Sequence, residues 1–547
     1  MGRGRGVPVV LVALIAAFGV FVQSGSTSRG QKGGIFQISF APQSGLDYID
    51  PALSYTPPGW ALLDTTCARL LTYPDRPPPK AFEPVPEVAI GYPAIADDFK
   101  RFTFRLRTGF RFSDGASVRA SAFAHAINRT LAPGVNSPGA MFTRDIVGAA
   151  DVLAGKRKSA TGVVARGTTL TVRLTRPAPD FATRMTLPFF CAVPPGLPSP
   201  PEGVGAFHSA GPYYVVEYRP GERVVIRRNR FYGGTRQRHV DGFHVDLRAP
   251  SPVEMIRRID RGEADWGHTI AGVFMDPTLR LVEKHGINKP GGRFFVKPGL
   301  TLRMVAINSS RPLFRNNPRL RQAVNFALDR QALQATSGGS IVSRATDQYL
   351  PYVLPGFRNA AIYPLHRADL AKARTLARGN LRSRKAVFYA PDFTLPMQAA
   401  QLVKQQLAEI GIEVEVRGVP LHIATAAYLN RLATRGEPWD LALMLWAPGV
   451  TDPYGYINLL LEGEVVEGAT ITSFRSRAYR QEMAQAARLL QNRERQRAYG
   501  ALDVRLARGA APLAALNVIE EATLVSDRVG CITLRPILDL TTVCLKE

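Results

Sequence analysis

Trp439 to Tyr456 reads WDLALMLWAPGVTDPYGY, and the fold class turns on it. Leu441, Ala442, Leu443, Met444 and Leu445 form an unbroken apolar run too short for an independent helix. Such a run fits a strand buried on both faces of a parallel sheet. It ends at Trp446, after which Pro448, Gly449 and Pro453 break any regular structure. In open α/β sheets, ligands lie in the crevice beyond the carboxyl ends of the strands. A large aromatic and an acid, Trp446 and Asp452, stand at such an end. They read either as a ligand-facing pair or as a buried Trp followed by an ordinary turn.

Working outward, the flanking sequence repeats a helix and strand alternation. Leu302 to Ile307 is an apolar strand. Asn317 and Pro318 then open a helix, an N-cap followed by Pro at the first helical position. Leu320, Ala323, Val324, Ala327 and Leu328 line one face of it. Asp369 to Ala377 is a second helix closed by Gly379, and Ala400, Val403, Leu407 and Ile410 line a third ended by Gly411. Ile412, Val414 and Val416 alternate as a strand, and Tyr428 to Leu432 is helical. The pattern is that of an α/β lobe with a largely parallel sheet.

The half before Pro298 reads differently. Ile35 to Phe40 is a first strand, Asp50-Pro51 opens a loop, and Trp60 to Leu71 is helical. Phe102, Phe104 and Leu106 alternate with Thr103, Arg105 and Arg107 as a half-buried strand, and Ser113-Asp114-Gly115 supplies a turn. Ala120 to Leu131 is helical, and Gly167 to Leu174 is another alternating strand.

At 547 residues the chain exceeds a single core, so two or more domains are expected. Apolar residues at 46% and charged residues at 21% describe a globular chain. The balance of 69 Lys+Arg against 44 Asp+Glu gives +25, which suits nucleic acid, an anionic membrane or wall surface, or an acidic ligand. The clusters Arg227 to Arg238 and Arg378 to Lys385 are short and interrupted, and no nucleic-acid module accompanies them, so nucleic acid is not an expected partner.

Arg3 and Arg5 precede VPVVLVALIAAFGVFV at Val7 to Val22, followed by small polar residues. That order is an export signal over residues 1–26, with an uncleaved anchor as the alternative. The run falls short of the roughly 20 residues a membrane span needs. No Cys stands nearby for lipid attachment. Either way the rest of the chain is expected outside the cytoplasm. Cys67, Cys191, Cys531 and Cys544 allow three pairings in an exported chain. Cys531 with Cys544 would staple a hairpin; buried free thiols are the other reading.

Catalytic patterns are sparse. GxSxG, HExxH and P-loop motifs are absent from the sequence. His239 and His244 point to opposite sides of a strand, and Ser209 beside His208 implies no third partner. No metal or cofactor is expected, and an enzyme is not the leading reading.

Several stretches then fall in a recurring order. They are VPEVA (Val85–Ala89), FRLRTGFRFSDGASVRA (Phe104–Ala120), AGPYYVVEY (Ala210–Tyr218), NRFYGG (Asn229–Gly234), RGEAD (Arg261–Asp265), NPRLRQAVNFALDR (Asn317–Arg330), LAEIGIEVEV (Leu407–Val416) and the Trp446 to Pro453 stretch. This collinear set resembles the family 5 extracellular solute-binding proteins, the peptide and nickel carriers of ABC importers. The resemblance runs from about Ile35 nearly to the C-terminus.

It implies a two-lobed periplasmic-binding-protein-like α/β fold of class II type, with an enlarged first lobe and a hinge beside an interlobe cleft. Lobe I would take residues 27–297 and return over residues 510–547, with lobe II at residues 298–509. Arg107, Gly109, Asp114, Gly115, Arg321 and Asp329 would be scaffold. Solute contacts would come from Ser54, Tyr55 and Trp60 on one lobe and from Trp446, Ala447, Gly449 and Asp452 on the other. Asp452 is also placed to brace its own loop.

The implied function is capture of a peptide and its delivery, as a monomer, to membrane permease subunits. A sugar, an opine-like conjugate, a metal chelate or an exported hydrolase are the alternatives. One departure stands out: well-known carriers of this kind place an Asp three residues after the Trp to pair with the peptide amine, and here that residue is Gly449. Ala122 likewise stands where the signature commonly has Asp.

Overall fold

A computed structural model describes residues 32–41, 46–74, 76, 80–268, 275–419, 438–461, 471–489, 493–533 and 539–546. The expected signal segment and the Tyr428 to Leu432 helix lie outside the described residues.

The apolar run at Leu441 forms a strand, Leu441–Trp446, inside a six-stranded sheet. Its neighbours are Phe294–Ile307, antiparallel, and Lys385–Pro391, parallel. Alternate side chains enter two cores. Leu441 and Leu443 pack with Leu320, Val324, Val403 and Leu407, while Ala442, Met444 and Trp446 join Leu302, Met304 and Tyr456 on the other face. Leu445 departs from the expectation, standing 49% exposed near the strand's end.

The sheet is mixed, which corrects the expectation of a largely parallel one. Leu513–Leu524 pairs antiparallel with Phe294–Ile307 and with Ser343–Ala345. The two long strands carry the chain into this lobe and back out of it, so they must run in opposite senses. Only Lys385–Pro391 and its partners Leu441–Trp446 and Glu413–Val419 keep the parallel arrangement.

Sequence-encoded caps fix the covering helices. The Asn317 side chain accepts from Leu320 N at the start of Pro318–Ala327, and Asp369 accepts from Lys372 N ahead of Leu370–Ala377. Asp329 accepts from Ala332 N and so starts Arg330–Ala335. Arg321 is buried and donates to the backbone oxygens of Phe314 and Ala510.

The N-terminal half holds two four-stranded sheets. One orders Ile35–Ser39, Gly242–Asp246, Arg223–Arg228 and Tyr213–Arg219; the other orders Ala94–Ala96, Arg101–Arg105, Thr169–Arg173 and Val163–Arg166. Ala122 is buried in the helix Ala120–Leu131, where a carboxylate would meet the core. The helix expected over Trp60 to Leu71 is Pro57–Thr66; it stops at Cys67, and Leu71–Thr72 pairs instead with Val85–Pro86. A disulfide from Cys67 to Cys191 fixes that stop, and a second joins Cys531 to Cys544.

Pro298 does not end an element. The strand Phe294–Ile307 runs through it, with a register shift between Lys297 and Thr301. A residue lacking N–H is tolerated where the ladder is already interrupted. Val525, Val529, Leu540 and Leu545 pack with Phe36 and Phe243, so the end of the chain rejoins the N-terminal core.

Asp503 supplies a pH test. It is fully buried, and burial outweighs the bonds from Tyr349 N, Gln348 Nε2 and Leu350 N to lift its carboxyl to about 7. A carboxyl raised on folding binds its proton more tightly in the native state. Its contribution is therefore complete below about pH 4 and lost as pH rises through 7. Asp503→Asn is expected to remove a fall of up to about 4 kcal/mol over that window, read from urea midpoints.

Candidate functional site: the cleft between the lobes

The turn after Trp446 reaches across to the N-terminal half. Thr451 N and Oγ1 donate to the Tyr73 hydroxyl at 3.4 and 3.2 Å, and Thr451 Oγ1 also lies 3.0 Å from Phe82 O. Arg176 Nη2 donates to the Tyr454 hydroxyl at 3.3 Å, and the Arg184 guanidinium lies over the Tyr454 ring. Burial raises the Tyr73 hydroxyl above its ordinary range, so it stays protonated and keeps both roles, donor and acceptor.

Between these contacts lies a cavity of about 40 Å³. Trp60, Asp64, Arg69, Tyr73 and Thr186 line it from one lobe, and Leu300, Gly449 and Thr451 from the other. Its volume matches a few waters, so a larger group enters only with the lobes further apart.

Gly449 and Trp60 meet at the centre. Gly449 has φ +74, and a Cβ there would lie 2.1 Å from Cη2 of Trp60. The place where related carriers put an amine-binding Asp is thus closed by an indole from the opposite lobe. Trp60 is held by Nε1–H donating to Ser54 O at 2.8 Å. Ser54 donates to Asp47, whose other oxygen accepts from Tyr55 N. The Tyr55 ring sits edge-on to Trp60 and stacked on Phe189, and its buried hydroxyl has no hydrogen-bond partner among the described residues. Ser54 and Tyr55 therefore back Trp60 and do not line the cavity.

The remaining expected contacts are disposed differently. Trp446 is buried with its indole donating to Gly455 O at 3.0 Å, and Ala447 is exposed on the loop. Asp452 Oδ1 accepts from Tyr454 N at 2.8 Å and from Arg495 Nη2 at 2.8 Å, while Oδ2 accepts from Arg495 Nε. Burial alone would lower the Arg495 guanidinium, but Asp452 beside it more than offsets this and holds it above its ordinary range. In this conformation the acid braces its own loop. Trp446→Phe, which deletes the N–H and the pyrrole half of a buried indole, is expected to lower stability by about 2 kcal/mol in urea unfolding.

The wall behind the cavity is a charge network that the sequence did not reveal. Asp64 pairs with Arg69, whose backbone N donates to Glu87; Arg236 pairs with Glu87 at 2.8 Å; Tyr232 donates to Glu87 at 3.0 Å. Asp64, Arg69 and Glu87 are buried, and two acids face two bases. Removing one member strands its partner, so Glu87→Gln is expected to destabilise by about 3 kcal/mol or more in the same assay. Signature residues serve the same scaffold: Arg107 donates to Glu87 O and Ala89 O, Asp114 accepts from Ala116 N, and Gly115 takes φ +91.

The chain is similar to known proteins over most of its length. It is 33% identical over 166 residues to a probable di/tripeptide-binding protein 5 of Pseudomonas aeruginosa, covering 29% of this chain and 30% of that one. It is 24% identical over 383 residues to the periplasmic oligopeptide-binding protein OppA of Salmonella typhimurium, covering 66% and 67%. The match thus spans under a third of the first relative's length and about two thirds of the second's. The fold superposes on a clavulanic acid biosynthesis oligopeptide binding protein 2 with TM-score 0.82 and 22% identity, over 94% of this chain and 96% of that one. This fixes the two-lobed periplasmic-binding-protein architecture. Residues 83–466 match the bacterial extracellular solute-binding proteins, family 5, and the chain belongs to that family.

Proposed function

We propose that this chain is the extracytoplasmic capture component of an ABC importer, taking short peptides or peptide-like solutes between its lobes and passing them to membrane permease subunits. The observation that carries the reading is the cavity lined from both lobes and bridged by Tyr73 and Thr451. A solute gripped by two walls can drive closure, because contacts made only in the closed state shift that equilibrium. The relatives' di/tripeptide and oligopeptide binding supports the solute class. The lobes would pivot on the paired strands Phe294–Ile307 and Leu513–Leu524 where their register shifts. The protein would act outside the cytoplasm, as a monomer and without catalysis.

The site also bears on the solute's charge. Among the described residues, the lining acid is Asp64, which Arg69 engages, and Gly449 offers no carboxylate. A buried ammonium needs a paired acid. The preferred solute is therefore one that does not bury a free amine against Gly449, such as a blocked peptide or an anionic conjugate. Native mass spectrometry of protein purified without unfolding is expected to show a retained mass of peptide size, and calorimetry to favour N-acetylated over free-amine peptides. A strong preference for free-amine dipeptides would overturn the charge reading. Failure of every peptide class to bind would overturn the function.

A further inference from the structure

The sheet Ala94–Ala96, Arg101–Arg105, Thr169–Arg173, Val163–Arg166 has one face in the core and one outside. Phe102, Phe104, Leu170 and Val172 are buried. The opposite side chains form a basic face. Arg101 stands directly across from Arg173, and Thr169 is flanked by Arg105 on one strand and Arg166 on the other. Strand spacing therefore sets four guanidinium groups around a patch of threonines, two of which, Thr103 and Thr171, lie 3.4 Å apart.

Like charges directly opposite in a sheet are destabilising. Arg105, Arg166 and Arg173 are exposed, and none of them has an ion-pair partner among the described residues; Arg101 pairs with Asp97. Elsewhere the surface arginines of this lobe are commonly paired, as Arg223 is with Glu217 and Arg261 with Glu254.

A second feature adjoins this face. Ala94–Ala96 is an edge strand, and beside it Ile90, Tyr92 and Ile95 are 59%, 64% and 45% exposed. Ile90 N donates to Arg105 O, which sets Ile90 beside the arginines, whereas Ile95 lies across from Phe102 and so belongs to the other face at the open edge. An aliphatic side chain and a Tyr beside clustered cations suit the boundary between lipid headgroups and acyl chains.

We infer that this sheet face is a docking surface for anionic phospholipid, holding the protein against the outer face of a membrane. Phosphates would accept from the arginines, and Ile90 and Tyr92 would enter the headgroup layer. The face gives part of the +25 charge a place to act. It lies apart from the interlobe cavity, so the inference stands whether or not the solute is a peptide.

The test is co-sedimentation of the full chain with phosphatidylcholine vesicles, with and without one third phosphatidylglycerol, over a salt series. Each arginine near an anionic surface strengthens binding by about fivefold. We expect partitioning to rise at least tenfold on adding phosphatidylglycerol at low salt and to decay as salt is raised. Any contribution of Val7 to Val22 would be common to both vesicles. The variant Arg105→Gln/Arg166→Gln/Arg173→Gln should lose that increment, while Arg319→Gln/Arg378→Gln/Arg480→Gln, on exposed sites elsewhere, should keep it. Circular dichroism checks that both variants fold. Equal partitioning into the two vesicles, or equal loss in both variants, would overturn the inference. So would a concentration-dependent dimer abolished by Ile95→Lys with no vesicle binding, which would assign the edge to a second copy of the chain.

Discussion

Gly449→Asp is expected to weaken solute binding about fivefold or more, although it restores the residue that related peptide carriers use. The substitution carries two penalties. A non-glycine residue at φ +74 costs about 1–2 kcal/mol, and a Cβ pressed on the Trp60 ring adds about 1–3 kcal/mol. The steric one is relieved when the lobes part, so it shifts the equilibrium toward the open form, whereas the backbone cost stays with the turn in both forms and lowers stability. Calorimetry should show the affinity loss, and small-angle scattering a larger radius of gyration at saturating solute. Trp60→Ala in the same chain should recover the steric part but not the backbone part. Unchanged affinity in Gly449→Asp would mean that Trp60 and Gly449 do not meet in the liganded protein.

The second large effect concerns Asp452 and Arg495, whose side chains are 6% and 2% exposed. Asp452→Ala removes both carboxylate oxygens from a buried guanidinium that also donates to the carbonyls of Ala486, Ala487 and Leu489. Stranding one member of a buried pair typically costs about 3–5 kcal/mol. The double change Asp452→Leu/Arg495→Met should recover much of this, because apolar replacement of a buried pair is often neutral. Urea unfolding of the single and double variants separates the two contributions. A loss below about 1 kcal/mol in the single variant would show that the pair is not closed in solution.

Local signals carried the reading of the second lobe. The Asn317-Pro318 start, the helix beginning at Asp369 and the Leu441 strand each depend on residues within a few positions, and the structure shows them where the sequence placed them. Strand direction was not legible, because Phe294–Ile307 and Leu513–Leu524 meet only after the whole lobe has been traversed. Pro298, where the sequence pattern changes, sits inside the strand Phe294–Ile307 at the point where its register shifts.

The site followed the same division. Trp60 and Gly449 stood out as a large aromatic and a departure from the family pattern, and they line the cavity together. Tyr73 and Thr451 did not, since they meet across 378 positions; Tyr73 belongs to no motif, and Thr451 sits unremarked inside the Trp446 to Pro453 stretch. Arg69 and Arg236 were likewise hidden. In a chain with this many basic residues nothing local distinguishes a buried, paired arginine from a solvated one, and only the fold brings Asp64 and Glu87 to them.

The claim that both lobes grip one solute is tested most directly by calorimetric titration of short peptides into wild type and into Tyr73→Phe/Thr451→Val. This double change deletes the Tyr73 and Thr451 hydroxyl contacts across the lobes and leaves Arg176 with Tyr454 in place. The expected result is one-to-one binding in wild type with a negative heat-capacity change, and affinity reduced about tenfold or more in the double variant at unchanged stability. Equal affinity in the two proteins, or binding that leaves the scattering curve unaltered, would contradict capture between the lobes.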